Sequence, residues 1–420
     1  MEYRITLGHR EASVARRREA KRLERSENLK PRVAVVCDLR EENWHSMNLV
    51  AEMLLEGLRA GHAESFEAER VCPPMRRRFT RGASAGARFN ADRLLNRFVD
   101  YPRTLRRARH EFDLFHVVDH SYAQLLHALP PERTVVTCHD LDTFRCLLEP
   151  QKERRSPMFR AMTRRVLEGF RRAARVACDS RATRDELLSH SLLPPERVVV
   201  IPNGVHPAFT RTPDAAAERE AARLLGEVDS EDDGGRVDLL HVGSTIGRKR
   251  VDVLLEVFAA VRRRFPRARL VRVGGEFTRE QASLANALGV SASVLSLPVL
   301  SPETLAAVYR RAALTLMPSE REGFGLPVVE SLACATPVVA SDINVLREVG
   351  GDEGAVSYCA VADTRAWTER VSLLLDERAR NAQAWARRRE ACVRRAARFS
   401  WREYVERVVA LYREVLGSCG

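Results

Sequence analysis

The chain has 420 residues, of which 45% are hydrophobic and 30% charged, and its formal net charge is +12. That composition excludes fibrous and disordered classes, and the length exceeds what one hydrophobic core usually organises, which favours two domains. The sequence contains no apolar run near the roughly 18 residues of a membrane-spanning helix, and its charged N-terminus lacks the apolar core of a secretory signal. We therefore expect a cytoplasmic protein.

The positive charge is concentrated in the first half, where residues 1–205 hold 38 Lys and Arg against 28 Asp and Glu. Two interpretations are open, namely Arg-rich solvated faces without a partner, or a surface for an anionic partner such as membrane lipid or nucleic acid. The basic residues are not interleaved with aromatic side chains, and no nucleic-acid-binding motif is present. Of the two anionic partners we therefore expect no nucleic acid.

Residues 1–30 are basic and polar and are interpreted as an N-terminal arm. Short β-branched runs then alternate with amphipathic segments, and the predicted strands fall within residues 32–38, 112–118, 133–140, 175–180 and 197–204. Such alternation predicts parallel strands with crossover helices on both faces of a sheet. We expect residues 31–205 to form one Rossmann-like domain that lies on the acceptor side of the protein.

One amphipathic segment, residues 156–177, places Phe159, Met162 and Val166 on one helical stripe and arginines on the opposite face. A helix that packs on the sheet is the favoured interpretation. Peripheral contact with an anionic membrane at the inner face is the alternative.

Residues 212–236 contain SEDDGG and are predicted to form a surface loop. The strand and helix alternation restarts at Val237, and one of the helices is predicted to begin with Ser301 as its cap and Pro302 in its first turn. We expect residues 206–385 to form a second α/β, doubly wound domain. Ligands of such sheets bind outside the carboxyl ends of the strands, so the two domains are expected to face a binding cleft.

Within residues 317–349, Glu322 and Glu330 form a pair with seven residues between them. A turn at Gly323 and Gly325 precedes a helix that is predicted to begin at Pro327, and the free amides at such a helix start favour a phosphate group. Because carboxylates repel phosphate, the glutamates are expected to accept hydrogen bonds from the neutral hydroxyls of a sugar and a ribose. Either glutamate alone is equally well explained by the helix dipole.

A second motif, residues 241–258, combines a strand, a turn at Gly243 and the basic triplet Arg248, Lys249 and Arg250 ahead of an amphipathic helix. Cations at this position can neutralise a diphosphate and stabilise it as a leaving group. Taken alone, a basic triplet is more often a solvated turn.

The two motifs together resemble family 4 of the retaining glycosyltransferases, also called group 1, whose characteristic glutamate pair stands here in EGFGLPVVE. The resemblance extends over nearly the whole chain from Pro31, and it identifies residues 386–420 as helices that return to the N-terminal domain. It implies the GT-B fold and transfer of a sugar from a nucleotide-diphosphate donor to a hydroxyl with retention of configuration. It also implies that neither a metal nor a further cofactor takes part.

The resemblance assigns Glu322 to hydroxyls of the donor sugar, Glu330 to the ribose, and Arg248 with Lys249 to the diphosphate. His139 matches a histidine that lies across the cleft near the transferred sugar. The expected catalytic residues are therefore His139, Glu322, Lys249 and Arg248. The expected donor-binding residues are Gly243, Arg248, Lys249, Glu322, Gly323, Phe324, Gly325, Leu326 and Glu330.

The acceptor side is less defined, because the loop after the first predicted strand reads REENWHSMN where the family commonly has glycines. In this loop Trp44 could stack on a sugar ring, and Asn43 or His45 could bind a hydroxyl; core packing of Trp44 is an equally open interpretation. The acceptor is expected to be a glycan or a lipid-linked molecule. Two alternatives are a small molecule or sugar phosphate as acceptor, and a basic nucleic-acid-binding protein without enzymatic activity.

Overall fold

The computed structural model describes residues 30–80, 86–226 and 236–418. Except for Lys30, the predicted N-terminal arm lies outside these residues, as does the SEDDGG sequence. The described strands form two six-stranded sheets in which every paired neighbour is parallel. The prediction of two doubly wound α/β domains is therefore confirmed.

The first sheet has the strand order β2-β1-β3-β4-β5-β6 and the second has the order β12-β11-β10-β7-β8-β9. The first sheet consists of β1 (Arg32–Val36), β2 (Glu67–Val71), β3 (Leu114–Val117), β4 (Thr134–Cys138), β5 (Arg175–Cys178) and β6 (Val198–Val200). The second consists of β7 (Val237–Val242), β8 (Ala268–Val273), β9 (Val294–Leu297), β10 (Leu314–Met317), β11 (Val338–Ser341) and β12 (Val356–Cys359).

The α-helices cover both faces of each sheet. In the first half of the chain they are α1 (His45–Gly61), α2 (Ala87–Leu95), α3 (Tyr101–Ala108), α4 (Arg145–Leu148), α5 (Pro157–Phe170) and α6 (Arg181–Ser189). In the second half they are α7 (Ala215–Leu225), α8 (Val251–Arg264), α9 (Arg279–Ala287), α10 (Pro302–Arg311), α11 (Leu326–Ala333), α12 (Asn344–Gly350), α13 (Thr364–Arg380), α14 (Ala382–Ala396) and α15 (Trp401–Gly417).

Strand β1 illustrates why these apolar runs form central strands. Val33 and Val35 pack into the hydrophobic cluster on one face of the sheet, and Ala34 and Val36 pack into the cluster on the other face. Because side chains alternate between the faces of a strand, only a continuous apolar run can satisfy both clusters. The predicted helix cap is also confirmed, since the Ser301 side chain accepts from the amide of Thr304 and Pro302 lies in the first turn of α10.

The last helix, α15, packs on the N-terminal domain, where Val405 lies against Gly57 of α1. The hydroxyl of Tyr412 lies 2.7 Å from Nδ1 of His116 on β3. By contrast α14, which was included in the segment predicted to return, packs into the core of the second domain through Ala391, Cys392 and Ala396. The return to the first domain therefore begins at α15.

The prediction of a surface loop over residues 212–236 is wrong for its first half, because residues 215–225 form α7. The side chain of Asp214 caps this helix, and Gly226 ends it in the left-handed conformation. Ala217, Ala221 and Leu225 bury one face in the core of the second domain. Burial of that face stabilises this short helix. The polar residues that flank it favour a loop when the sequence is considered alone.

Helix α5 packs on the first sheet through Val166, Leu167 and Phe170, as the favoured interpretation predicts. Its first turn is different, because Met158 is 67% and Phe159 is 41% exposed. Within the described ranges, none of the helices combines the length and apolar composition needed to cross a bilayer.

Candidate active site

The two motifs meet at the carboxyl edge of the second sheet. Lys249 Nζ lies 2.6 Å from Glu322 Oε1, and Arg248 Nη1 lies 3.3 Å from Glu322 Oε2. A short helical turn at Gly247–Lys249 carries the cations, and the amide of Glu320 donates to the carbonyl of Arg248, which ties the two loops together. The loops after β7 and β10 thus present one cluster of charges.

Glu322 is ionised in this cluster. Burial opposes its charge, but the neighbouring cations Lys249 and Arg248 more than offset that effect and hold the pKa of Glu322 below its usual range. A carboxylate held between two cations accepts hydrogen bonds from hydroxyls, and it also limits the net positive charge that the cations present to a ligand.

Glu330 lies on α11 in a very different environment. Its side chain is buried, and Oε2 accepts a hydrogen bond of 3.0 Å from the hydroxyl of Tyr309. Burial raises the pKa of Glu330 to about 7, although the Tyr309 hydroxyl and the charge of Lys249 both act to lower it. Tyr309 was not predicted from sequence, because one aromatic residue inside a helix carries no signal of its partner.

The loop between Glu322 and α11 offers free donors. The backbone amides of Phe324, Gly325 and Leu326 donate no hydrogen bond within the described part of the chain. Gly325 has a φ of 95°, and a Cβ there would lie 2.9 Å from Leu346. Consecutive free amides at a helix start form an anion-binding site. Phe324 itself is buried against Phe399, so only its backbone can contact a ligand.

Gly243 ends β7 beside this cluster. Its φ of 159° is extended, and a Cβ there would approach the side chains of His241 and Lys249 at 3.4 Å and 3.7 Å. The ring of His241 is fully buried, and burial lowers its pKa to about 3, so a neutral imidazole lies behind Lys249. His241 was not among the site residues predicted from sequence.

His139 lies at the end of β4, across from the donor loop, and both its ring nitrogens are engaged. Nδ1 lies 3.0 Å from Asp179 Oδ2, and Nε2 lies 2.8 Å from the carbonyl of Val118. Burial alone would lower the pKa of His139, but Asp179 raises it to about 9. Two acceptors match the two donors of an imidazolium, so the ring has no free nitrogen for a sugar.

The carbonyl of His139, rather than its ring, contacts the donor loop. A Cβ on Gly323 would come within 1.9 Å of this carbonyl oxygen, so only glycine permits the approach. The hydroxyl of Ser180 donates to the carbonyl of Gly323 over 2.8 Å, and the hydroxyl of Thr183 does so over 3.3 Å. These contacts join the two domains at one end of the cleft.

Glu348 of α12 strengthens the same junction. Its carboxylate accepts from the amides of Arg181 and Ala182, at 2.9 and 3.2 Å, which lie at the N-terminus of α6 in the other domain. An anion at a helix N-terminus is favoured by the helix dipole. We name these contacts of Ser180, Thr183, Gly323 and Glu348 the interdomain clasp, which was not predicted from sequence.

Two acidic residues of the N-terminal domain face the cation cluster. Arg248 lies 3.0 Å from Asp142 and 3.8 Å from Asp140, and Arg321 lies 3.6 Å from Asp142. Asp140 and Asp142 directly follow His139 in the sequence TCHDLD. Their position after a strand was therefore a signal that the sequence analysis could have used.

A cavity of about 620 Å³ opens beside this cluster, between the two domains. Trp44 lines it and is 51% exposed, so the interpretation that Trp44 packs in the core is wrong. The indole Nε1 donates to Glu42 over 3.1 Å, which fixes the ring at the cavity wall. Asn43 and His45 are exposed, but they are not among the residues that line this cavity.

Comparison with known proteins decides the family. The family model "Glycosyl transferases group 1" matches residues 228–397, and the model "Glycosyltransferase Family 4" matches residues 50–209. The chain belongs to the group 1 glycosyltransferases. The family prediction is therefore confirmed, and the predicted donor motifs lie within the group 1 match.

Curated relatives of this group 1 glycosyltransferase include enzymes named D-inositol 3-phosphate glycosyltransferase. The one from Kineococcus radiotolerans is 34% identical over 263 residues, which is 58% of each chain. The one from Thermobispora bispora is 37% identical over 243 residues, or 55% of this chain and 54% of the relative. The chain thus spans little more than half the length of the curated relatives it matches.

Solved structures share the fold of this group 1 glycosyltransferase. Sucrose-phosphate synthase from Thermosynechococcus elongatus has a TM-score of 0.72 at 18% identity and covers 93% of this chain and 100% of its own. Anabaena HepE in complex with UDP-glucose has a TM-score of 0.67 at 15% identity, with 92% and 100% covered. The predicted GT-B fold is confirmed.

Proposed function

We propose that this chain transfers a sugar from a nucleotide-diphosphate donor to an acceptor hydroxyl, with retention of the anomeric configuration and without a metal. One observation carries the proposal: Lys249, Arg248 and Glu322 form one cluster next to free amides and ahead of the buried Glu330. Cations, amides and two carboxylates suit a diphosphate that lies between two hydroxyl-bearing groups.

Each residue has a distinct part in the proposed reaction. Lys249, Arg248 and the amides of Phe324 to Leu326 bind the diphosphate and stabilise the negative charge that develops on it as the bond to the sugar breaks. Glu330 accepts from the ribose, and Glu322 accepts from the donor sugar. Because two cations supply positive charge at the leaving group, the proposal needs no metal. Among the described residues, no group of three or more His, Cys, Asp or Glu side chains could hold one.

We propose that the acceptor hydroxyl attacks the sugar from the same face from which the diphosphate departs, so that the anomeric configuration is retained. A phosphate oxygen of the leaving group takes up the proton of that hydroxyl. His139 takes part through its backbone, because both nitrogens of its ring are engaged inside the N-terminal domain. This differs from a role in which the ring contacts the sugar.

The acceptor is proposed to enter the cavity beside Trp44. The relatives' name points to a phosphorylated polyol as one candidate, and a glycan or lipid-linked acceptor is the other. The exposed Met158 and Phe159, next to Arg154 and Arg155, support peripheral contact with an anionic membrane at its cytoplasmic face. Sedimentation with vesicles that do or do not contain anionic lipid tests that contact.

Donor turnover tests the proposed activity. The purified protein is incubated with UDP-, GDP-, ADP- and dTDP-sugars without acceptor, and nucleotide diphosphate release is measured. Slow hydrolysis of one donor, lost in Glu330→Ala and Lys249→Ala, is the expected result. If no donor is hydrolysed or bound, the proposed function is wrong. Proton NMR of the first product tests retention, and an unchanged rate in EDTA is expected if no metal takes part.

A further inference from the structure

The arginines that line the cavity differ in one respect. Four of them have a carboxylate partner, since Arg97 pairs with Glu42, Arg155 with Glu153, and both Arg248 and Arg321 with Asp142. The fifth, Arg93, is the exception. Its side chain forms neither a hydrogen bond nor a salt bridge with any residue in 30–80, 86–226 or 236–418.

Arg93 is also partly withdrawn from solvent. It lies on α2, and its Nε is buried without a hydrogen-bond partner in the described chain. A guanidinium is always charged, and it loses hydration when it is buried without a partner. The other four cavity arginines are paired with carboxylates, so acidic side chains are present in this wall. Among the described residues, Arg93 therefore has no counter-ion at the place where an acceptor would enter.

Other side chains of the cavity wall are suited to contact a sugar or polyol ring. Trp44 is 51% and Ile246 is 48% exposed, and Phe159 is 41% exposed at the rim. An aromatic face stacks well on the C–H face of a sugar or polyol ring. Arg248 lines the same cavity, so a ring stacked at Trp44 shares the cavity with both Arg93 and a residue of the proposed diphosphate site. A volume of about 620 Å³ is within the usual range for small-ligand sites.

We propose that Arg93 binds a phosphate group on the acceptor, and that the acceptor is a phosphorylated polyol or sugar. The inference rests on the proposed function and names the substrate class of that site. The phosphate belongs either to a soluble phosphomonoester or to the head group of a lipid, since the same guanidinium fork fits both. The exposed side chains of Ile246 and Phe159 in the cavity wall offer apolar contacts to the acyl chain of such a lipid.

The test uses one soluble pair that differs only in phosphate and one vesicle pair that differs in the presence of an anionic inositol phosphodiester head group. The protein is first saturated with whichever of UDP, GDP, ADP and dTDP it binds. Calorimetry then measures binding of myo-inositol 1-phosphate against myo-inositol, and of phosphatidylcholine vesicles with and without phosphatidylinositol. Variants are Arg93→Gln, Arg93→Lys and Arg107→Gln. Arg107 is an exposed arginine of α3 that does not line the cavity, so its variant makes the same charge change elsewhere.

We expect myo-inositol 1-phosphate, or the vesicles that contain phosphatidylinositol, to bind at least about tenfold more tightly than the control of the same pair, because the control lacks a charge-assisted hydrogen bond. Arg93→Gln removes this preference, Arg93→Lys restores part of it, and Arg107→Gln keeps it. Preference in the first pair identifies a soluble acceptor, and preference in the vesicle pair alone identifies a lipid.

The proposal is overturned if Arg93→Gln keeps the preference, or if neither phosphorylated probe is preferred. Acceptor-independent donor hydrolysis separates this failure from failure of the proposed function. If donor hydrolysis persists in Arg93→Gln and in the wild type while phosphate has no effect, only the acceptor assignment is wrong. If the wild type hydrolyses no donor, the proposed function fails first.

Discussion

The two walls of the cleft balance their charges differently. On the side of the second domain, Lys249 and Arg248 meet Glu322 within 3.3 Å, so the cluster is paired. On the side of the first domain, Arg93 lines the cavity without a carboxylate partner in the described chain. In the paired wall the cations and the carboxylate are already in place, and a ligand that binds there replaces some of the contacts that they make with each other. On the other wall Arg97 and Arg155 are paired with Glu42 and Glu153, so Arg93 is the one cavity arginine whose charge is left for the ligand to balance among the described residues.

Lys249→Ala gives the largest expected effect on the paired wall. Loss of one cation at the leaving group should reduce kcat by about 10²- to 10³-fold, the range found when one stabilising donor is removed from an active site. Donor turnover measures it. Arg250→Ala is the matched control, because Arg250 is the next residue but pairs with Asp252, and its rate should stay within about twofold of wild type. A Lys249→Ala rate near wild type would contradict the paired wall.

Glu330→Gln tests the buried carboxylate through stability. The folded-state pKa of about 7 exceeds the ordinary value of 4.5, so the native state holds a proton between these pH values that the unfolded state has lost. The contribution of Glu330 to the free energy of unfolding is fully present below pH 4.5 and is lost as the pH rises through 7. The loss is about 3 kcal/mol at most.

Denaturant unfolding of wild type and Glu330→Gln at pH 5 and pH 8 measures this difference. Between pH 5 and pH 8 the free energy of unfolding should decline less in Glu330→Gln than in wild type, and the variant should be the more stable protein at pH 8. It should nevertheless bind donor more weakly. Equal pH slopes in the two proteins would show that Glu330 keeps an ordinary pKa.

Glu348→Ala tests the interdomain clasp. Removal of the carboxylate frees the amides of Arg181 and Ala182, and the loss of about 1–2 kcal/mol of charge-assisted hydrogen bonding should favour an open cleft. We expect the donor KM to rise about fivefold to tenfold and the radius of gyration from X-ray scattering to increase.

Glu353→Ala is the control for the clasp, since Glu353 pairs with Arg395 and Arg398 inside the second domain. It makes the same charge change and should leave both quantities as in wild type. If both variants behave alike, the clasp does not hold the domains together.

Trp44→Ala has the smallest expected effect and sharpens the description of the acceptor wall. Loss of one stacking surface should raise the acceptor KM about threefold to tenfold, with acceptor-independent donor hydrolysis unchanged. Trp44→Phe should recover most of the loss. A change in donor hydrolysis would place Trp44 on the donor side instead.

Much of the paired wall could be predicted from sequence, because its residues lie in two short motifs that follow buried strands. Glu322, Lys249 and the helix start at Leu326 are local features of EGFG and GRKR. The Ser301 cap was predictable for the same reason, since serine, proline and the helix are adjacent in sequence.

The remainder depends on contacts between distant segments. Tyr309 reaches Glu330 across 21 positions, and Ser180 reaches Gly323 across 143. Helix α7 was missed although its residues are all strong helix formers between Asp214 and Gly226, because the SEDDGG sequence that follows favours a loop over the whole segment. Arg93 could not be found from sequence, because the absence of a partner is visible only when all of its neighbours are in place.

Calorimetric binding of nucleotide diphosphates tests the central claim most directly, namely that Lys249 and its cluster hold the donor diphosphate. UDP, GDP, ADP and dTDP are titrated into wild type, Lys249→Ala and Arg250→Ala. We predict that wild type and Arg250→Ala bind one nucleotide diphosphate with equal affinity and that Lys249→Ala binds it about tenfold or more weakly. Equal binding by all three proteins, or no binding by wild type, would contradict the claim.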